Sequence, residues 1–203
     1  LTAGEIGCYA SHLLCAQRIV ANGLPYALIL EDDVTLGSGF KKIATEAATI
    51  AAREWDYIHL CSVFKRAIFS IATLPDEHHL VRYSRYPVNT AAYIISNAGA
   101  RKWLRPMPRV RPNDQDIRYG YICGMNICGV YPAIARQADN FASDISGLGH
   151  GTSKDQDRRP WEPSFREGWH KGWHMAQHLG PINLVKMKIA TLLDSARKRI
   201  DGK

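Results

Sequence analysis

Nowhere in its 203 residues does this chain keep an apolar run for the roughly 18 residues that a membrane-spanning helix needs. Its start also lacks the charged, apolar and small-residue succession of a signal peptide. The five cysteines (Cys8, Cys15, Cys61, Cys123 and Cys128) are odd in number and never stand as C-x-x-C. That spacing offers neither a disulfide framework nor a zinc site, so they read as buried thiols of a reducing, cytoplasmic compartment. Internal repeats and low-complexity tracts are missing, which sets aside solenoids and compositionally disordered chains. An initiating methionine is missing too. The chain opens at Leu1 inside an evident motif, and a first strand is expected ahead of it. What remains is 46% hydrophobic and 22% charged, the balance of one globular domain with a substantial core. The net charge of +7 favours an anionic partner: nucleotide-sugar phosphates, an acidic lipid surface or nucleic acid.

The stretch that organises the chain is Tyr26 to Leu36. Five apolar residues, Tyr26 to Leu30, run directly into Glu31, Asp32 and Asp33. An unbroken apolar run bounded by turn residues predicts a buried central strand of a parallel sheet. Carboxylates at the carboxyl end of such a strand lie where ligands bind in open α/β sheets. Three crowded acids repel one another, and a hard divalent cation on a phosphate-bearing substrate offsets that repulsion. In an extended chain Glu31 and Asp33 share a side and can share a metal, while Asp32 faces away. The plainer alternative is a solvated acidic turn before the next helix.

Thr2 to Glu5 is a capping box that opens a helix with apolar residues at Ile6, Tyr9, Ala10, Leu13, Leu14, Ala16, Ile19 and Val20. Asn22-Gly23 ends it. His12 lies within this helix, as a structural residue or a substrate contact. An alanine-rich helix follows from 39 to 53, and then a strand from Trp55 to Leu60. Residues 62–80 give no clear pattern, and Leu80 to Tyr86 predicts a short, partly exposed strand. Pro87 to Thr90 is a turn, Ala91 to Ile95 a strand, and Ser96 caps a helix from Asn97 to Leu104. This alternation predicts an α/β domain on a mainly parallel sheet.

A loop rich in proline and arginine, 106–112, ends in Asn113-Asp114-Gln115-Asp116 before a short helix, Ile117 to Cys123. Acids there either complement the helix dipole or include a general base. Met125 to Tyr131 predicts another strand. Residues 138–159, rich in Gly, Ser and Asp, read as a lid-like loop holding His150. In the tail, Lys186, Lys188, Arg197, Lys198, Arg199 and Lys203 outweigh Asp194 and Asp201 by four charges, and they intersperse with Leu184, Val185, Met187, Leu192, Leu193, Ala196 and Ile200. Such a basic amphipathic helix suits the surface of an anionic membrane. It suits equally a solvated helix packed on its own domain.

Taken together, Leu1 to Cys8 with Ser11-His12, Ala27 to Val34, Thr90 to Ser96 with Gly99-Ala100, Pro112 to Asp116, Val130 to Pro132, Arg136-Gln137 and Ser143 to Ile145 resemble glycosyltransferase family 25. These are bacterial lipopolysaccharide and lipooligosaccharide glycosyltransferases. The ordered blocks span about 1–146, leaving 147–203 as the lid-like loop and helical tail. Asn89 stands where the family commonly has glycine, and Asn113 where it has valine. The resemblance implies a GT-A-like fold and inverting transfer of a sugar, often galactose, from a UDP-sugar to a growing glycan. It implies Mn2+ or Mg2+ held by Glu31 and Asp33 with His150 completing the shell, and Asp114, then Asp116, as candidate base. Asp32, Asn89, Thr90 and His12 become candidate donor contacts. Expected partners are the UDP-sugar, the lipopolysaccharide acceptor and the inner face of the bacterial inner membrane, with no nucleic acid. A metal-dependent phosphoesterase or nuclease would also want clustered acids, but the sequence offers no second dense acid and histidine cluster. A non-catalytic, glycan-binding family member is the third reading.

Overall fold

Helix α1 (Ala3–Ala21) begins and ends where its capping residues dictate. The Glu5 amide donates to Thr2 Oγ1 at 3.2 Å, the Thr2 amide donates to Glu5 Oε2 at 2.7 Å, and Asn22 closes the last turn. Gly23, at φ 62°, then takes the left-handed conformation that a side chain would resist. The computed structural model describes residues 1–50, 55–61, 68–83 and 86–137, with isolated positions between 173 and 192. The remaining elements are β1 (Tyr26–Leu30), β2 (Val34–Leu36), α2 (Phe40–Ile50), β3 (Tyr57–His59), β4 (Ile68–Thr73), β5 (His79–Tyr83), β6 (Ala92–Ser96), α3 (Asn97–Trp103), α4 (Asn113–Asp116), a 3-10 helix (Ile117–Cys123), β7 (Ile127–Tyr131) and β8 (Ala135–Gln137).

Six strands form one sheet in the order β1-β6-β3-β7-β5-β4, and β2 pairs with β8 in a separate ribbon. Period-two alternation divides the buried side chains between the two faces of the sheet. Ile58, Leu60, Ala92, Ile94, Cys128 and Val130 pack on one face with Phe40, Ile43, Ala44 and Ala47 of α2. Tyr57, Tyr93, Ile95 and Ile127 pack on the other with Tyr9, Ala16 and Ile19 of α1 and Trp103 of α3. Covering both faces with helices gives an α/β layer architecture. At Gly129 the packing is tightest, because the Tyr83 phenol occupies the space a Cβ would need.

Three expectations need correction. The sheet is not mainly parallel: only β3 and β7 run parallel, and the other neighbours are antiparallel. The cause lies in the segment between β3 and β6. It holds the β4–β5 antiparallel pair where a parallel sheet would need a crossover helix. Among the described residues, strand β1 is not central but an edge strand, paired with β6 alone. Its Ala27 and Ile29 lean on the α1 layer, while Tyr26, Leu28 and Leu30 are exposed. Five apolar letters cannot tell the two situations apart. Strand β5 is interior, with Leu80, Val81 and Tyr83 buried between β7 and β4. The lid-like loop, His150 and the expected boundary near 146 fall outside the described residues.

Candidate active site

The acidic stretch leaves β1 at Leu30 and turns through Asp32 and Asp33 into β2. Glu31 is fixed at backbone level, its amide donating to the Ala91 carbonyl at 2.8 Å. Its carboxylate is fixed as well: Oε1 accepts from Thr90 Oγ1 at 3.1 Å and lies 3.3 Å from His12 Nε2. Burial alone would push the His12 imidazole down, but hydrogen bonds and charges from Cys8 and Glu31 outweigh it and lift it to about 9. On Glu31, burial raises and the His12 and Thr90 bonds lower, and the balance falls below the usual carboxylate range. Glu31 and His12 thus each favour the charged form of the other.

Asp33 is half-buried, and Asp32, between the two, is exposed. Asp33 Oδ2 accepts from Gln137 Nε2 at 2.7 Å, which ties the turn to β8. Its other oxygen, Oδ1, is buried with no hydrogen-bond partner among the described residues. A buried, unpartnered carboxylate oxygen is costly unless something cationic meets it. Asp33 and Glu31 both reach the Cys61 thiol electrostatically, adding to the burial that pushes it up. Both carboxylates thus lie within electrostatic reach of Cys61, and each offers oxygen donors of the kind that suits a hard divalent cation.

The Asn113–Asp116 turn packs against α1. Asp114 is half-buried, and burial pushes its carboxyl up. A Gln115 backbone hydrogen bond works against that, and the Glu31 charge adds to it. Asp116 is held differently, at 1% exposure. Tyr9 Oη donates to its Oδ2 at 3.0 Å, and Arg111 Nη1 lies 3.4 Å from its Oδ1. Arg109 donates to Tyr9 Oη at 2.5 Å and to the Trp103 carbonyl at 2.5 Å, lying across both rings. Two acids two positions apart thus have different surroundings: Asp116 is held by Tyr9 and Arg111, while Asp114 is half-buried within reach of the Glu31 charge.

Of the sequence-predicted residues, Thr90 and His12 are brought onto Glu31, while Asp33 bonds Gln137 and Asp114 feels the Glu31 charge. Thr90 and His12 are buried and spend their polar atoms on Glu31. Asn89, next in sequence to Thr90, is half-buried, its Oδ1 accepting from the Ala91 amide at 2.7 Å. Sequence reasoning missed Cys8, Tyr9 and Tyr93, the last of which contacts His12 Nδ1 through its hydroxyl at 2.9 Å. The i, i+4 spacing of Cys8 and His12 on one helix face was the available signal for the first of them.

Comparison with known proteins matches residues 1–116, more than half of the chain, to the model of "Glycosyltransferase family 25 (LPS biosynthesis protein)". The inactive glycosyltransferase 25 family member 3 of Mus musculus is 34% identical over 122 residues, 57% of this chain and 20% of that protein. Procollagen galactosyltransferase 1 of Danio rerio is 32% identical over 120 residues, again 57% of this chain and 20% of the relative. The lacto-N-neotetraose biosynthesis glycosyltransferase LgtE of Neisseria gonorrhoeae is 28% identical over 176 residues, 78% of this chain and 62% of its own length. The chain thus spans about a fifth of the first two relatives.

Proposed function

The chain belongs to glycosyltransferase family 25, and on that premise we propose that it is a metal-dependent inverting hexosyltransferase with a GT-A-like domain. It moves a sugar, galactose first among the candidates, from a UDP-sugar to a hydroxyl of a lipopolysaccharide or lipooligosaccharide acceptor. What supports the reading is that the Glu31 charge adds to the burial that raises the Asp114 carboxyl, so the acids after β1 and the α4 turn lie within electrostatic reach of each other. The names of two relatives, a galactosyltransferase and a lacto-N-neotetraose biosynthesis enzyme, point to the same chemistry.

In this reading Asp114 is the base. It takes the proton of the acceptor hydroxyl as that oxygen bonds to the anomeric carbon. The bond from that carbon to the diphosphate oxygen breaks, and UDP leaves with the electron pair. A carboxyl raised by burial holds a proton better than an exposed one, which suits general-base work. Asp116, the second candidate, has both oxygens engaged and instead pins α4 to α1. A divalent cation, Mn2+ or Mg2+, held by Glu31 and Asp33 supplies Lewis-acid neutralisation of the diphosphate when bound, and the orphaned Asp33 Oδ1 fits such an ion. Thr90 and His12 hold Glu31 charged and oriented, while Asp32 and Asn89 are left to meet donor hydroxyls. His150 is the further ligand proposed from the lid-like loop.

No helix among the described residues is long and apolar enough to cross a membrane. At the described tail positions Ile182, Val185, Ile189 and Leu192 the backbone is helical and the side chains are exposed. With the basic residues between them, that stripe supports peripheral contact with an anionic bilayer at the cytoplasmic face.

The test is UDP release over a panel of nucleotide sugars, with and without lipopolysaccharide acceptor and with the metal varied. Asp33→Asn should abolish metal-dependent transfer while leaving the fold intact, and retained turnover in that variant would remove the metal from the scheme. Hydrolysis without any acceptor would favour a phosphoesterase. One observation favours a second reading: a relative is named as inactive. A non-catalytic, glycan-binding member would show no heat on titration with UDP and Mn2+.

A further inference from the structure

Cys8 and His12 stand one turn apart on α1, and Glu31 meets them from the end of β1. One ligand atom from each, the Cys8 Sγ, a His12 ring nitrogen and a Glu31 carboxylate oxygen, lies within 4.8 Å of the other two. His12 Nε2 is 3.3 Å from Glu31 Oε1. Tetrahedral zinc, with Zn–S of about 2.3 Å and Zn–N and Zn–O of about 2.0–2.2 Å, holds such atoms about 3.3–3.7 Å apart. Shifts of about 1 Å, within the reach of side-chain rotation, would close the cluster on an ion of that size.

The surroundings match this use. His12 Nδ1 faces the buried Tyr93 hydroxyl at 2.9 Å, the hydrogen bond that fixes the ring of a ligating histidine and leaves Nε2 to the metal. The Thr90 hydroxyl orients the Glu31 carboxylate in the same way. His12 is 6% exposed, whereas Cys8 and Glu31 are half-buried, so an ion can enter from the surface. We infer that Cys8, His12 and Glu31 form a three-ligand site for a borderline cation of the Zn2+ class, with the fourth position open to water. Thiolate and imidazole together select such an ion over Mg2+ or Mn2+, which prefer oxygen. Binding takes Cys8 as thiolate and His12 with its Nε2 lone pair, and any proton those atoms carry passes to solvent. The site shares Glu31 with the proposed donor-metal site, so the two ions compete for that carboxylate, while thiolate ligation by Cys8 marks this one whether or not transfer occurs. Cysteine spacing could not signal it, because only one cysteine takes part.

The experiment titrates the full, reduced chain, stripped of metal, with Co2+ alone. The expected result is a thiolate-to-cobalt charge-transfer band in the near ultraviolet that saturates at one equivalent. Zn2+ should abolish the band stoichiometrically, while Mg2+ in excess leaves it. Cys8→Ser should lose the band, His12→Gln should weaken Co2+ binding tenfold or more, and Cys15→Ser should leave both unchanged. Reading thiolate ligation separates this site from any held by histidines alone. Absence of the band in the unsubstituted chain, or its persistence in Cys8→Ser with native circular dichroism, would overturn the proposal.

Discussion

Tyr9→Phe tests the clamp that sets α4 against α1. The substitution keeps the ring, its stacking on Trp103 and its contact with the Arg109 guanidinium, 5.0 Å from the ring centroid. It removes one oxygen. That oxygen donates to Asp116 at 3.0 Å and accepts from Arg109 at 2.5 Å. Hydrogen bonds to charged partners contribute about 1.5–3 kcal/mol each. Arg109 keeps its bond to the Trp103 carbonyl and is not orphaned. Asp116 keeps only Arg111, at the longer distance of 3.4 Å, and it is 1% exposed. The loss should therefore sit mainly on the Asp116 side, at about 2–3 kcal/mol.

With a urea slope of about 2 kcal/mol/M for a domain of this size, the unfolding midpoint should fall by about 1 M. The sign with pH follows from Asp116. Burial holds its carboxyl above the unfolded value in spite of the Tyr9 and Arg111 bonds. Losing the Tyr9 donor raises it further, so the variant accepts a proton at higher pH than the parent does. The stability gap should be full at neutral pH and narrow as pH falls through the variant's Asp116 titration. A midpoint shift below about 0.3 M, or a gap that does not narrow, would refute the clamp. Because Asp114 rides on the same turn, the variant should also lose kcat with little change in donor KM.

Three further outcomes are expected. Thr90→Val takes a donor from Glu31 while keeping the side-chain shape, so Glu31 titrates higher; the loss, about 1 kcal/mol or roughly fivefold in kcat/KM, should deepen as pH falls, read from a pH–rate profile. Asp114→Asn should cut turnover by about 10²–10⁴-fold with unchanged circular dichroism, and parent activity should fall as pH drops through the raised Asp114 titration, because the base must be unprotonated. Gly129→Ala drives a methyl into the Tyr83 phenol and should destabilise by about 1–3 kcal/mol or more in thermal melts, with partial rescue in the Gly129→Ala/Tyr83→Phe pair, since the hydroxyl is the nearest atom.

What the sequence disclosed and what it hid divide along the range of the interactions. Local rules read true: Thr2 and Glu5 cap α1, Ser96 caps α3 by accepting from the Gly99 amide, and Asn22 with Gly23 ends the first helix. Each depends on neighbours within four residues, so one sequence suffices. Strand partners do not work that way. Nothing in Tyr26 to Leu30 says that among the described residues this strand pairs only with β6, or that Tyr26, Leu28 and Leu30 stay exposed. The β4–β5 pair reversed the direction of β6, and residues 62–80 carried too weak a pattern to announce it.

The site shows the same division with more consequence. Residue type marked Glu31, Asp33, Asp114 and Asp116 as acids at element ends, but type alone could not rank them. Contacts from distant segments do. Asp116 is separated from Asp114 by Tyr9, 107 positions away, and Glu31 is charged and positioned by His12 and Thr90. A base must be free to meet its substrate, and an acid already holding a phenol and a guanidinium is not. The same logic makes α1 part of the site rather than its scaffold. One face of it presents Cys8, Tyr9 and His12, so one helix sets the acid that clamps α4, the charge state of Glu31 and the inferred zinc ligands. A shift of α1 along its axis would move all three functions together, whereas a shift of α2, packed on the opposite face of the sheet, should move none of them.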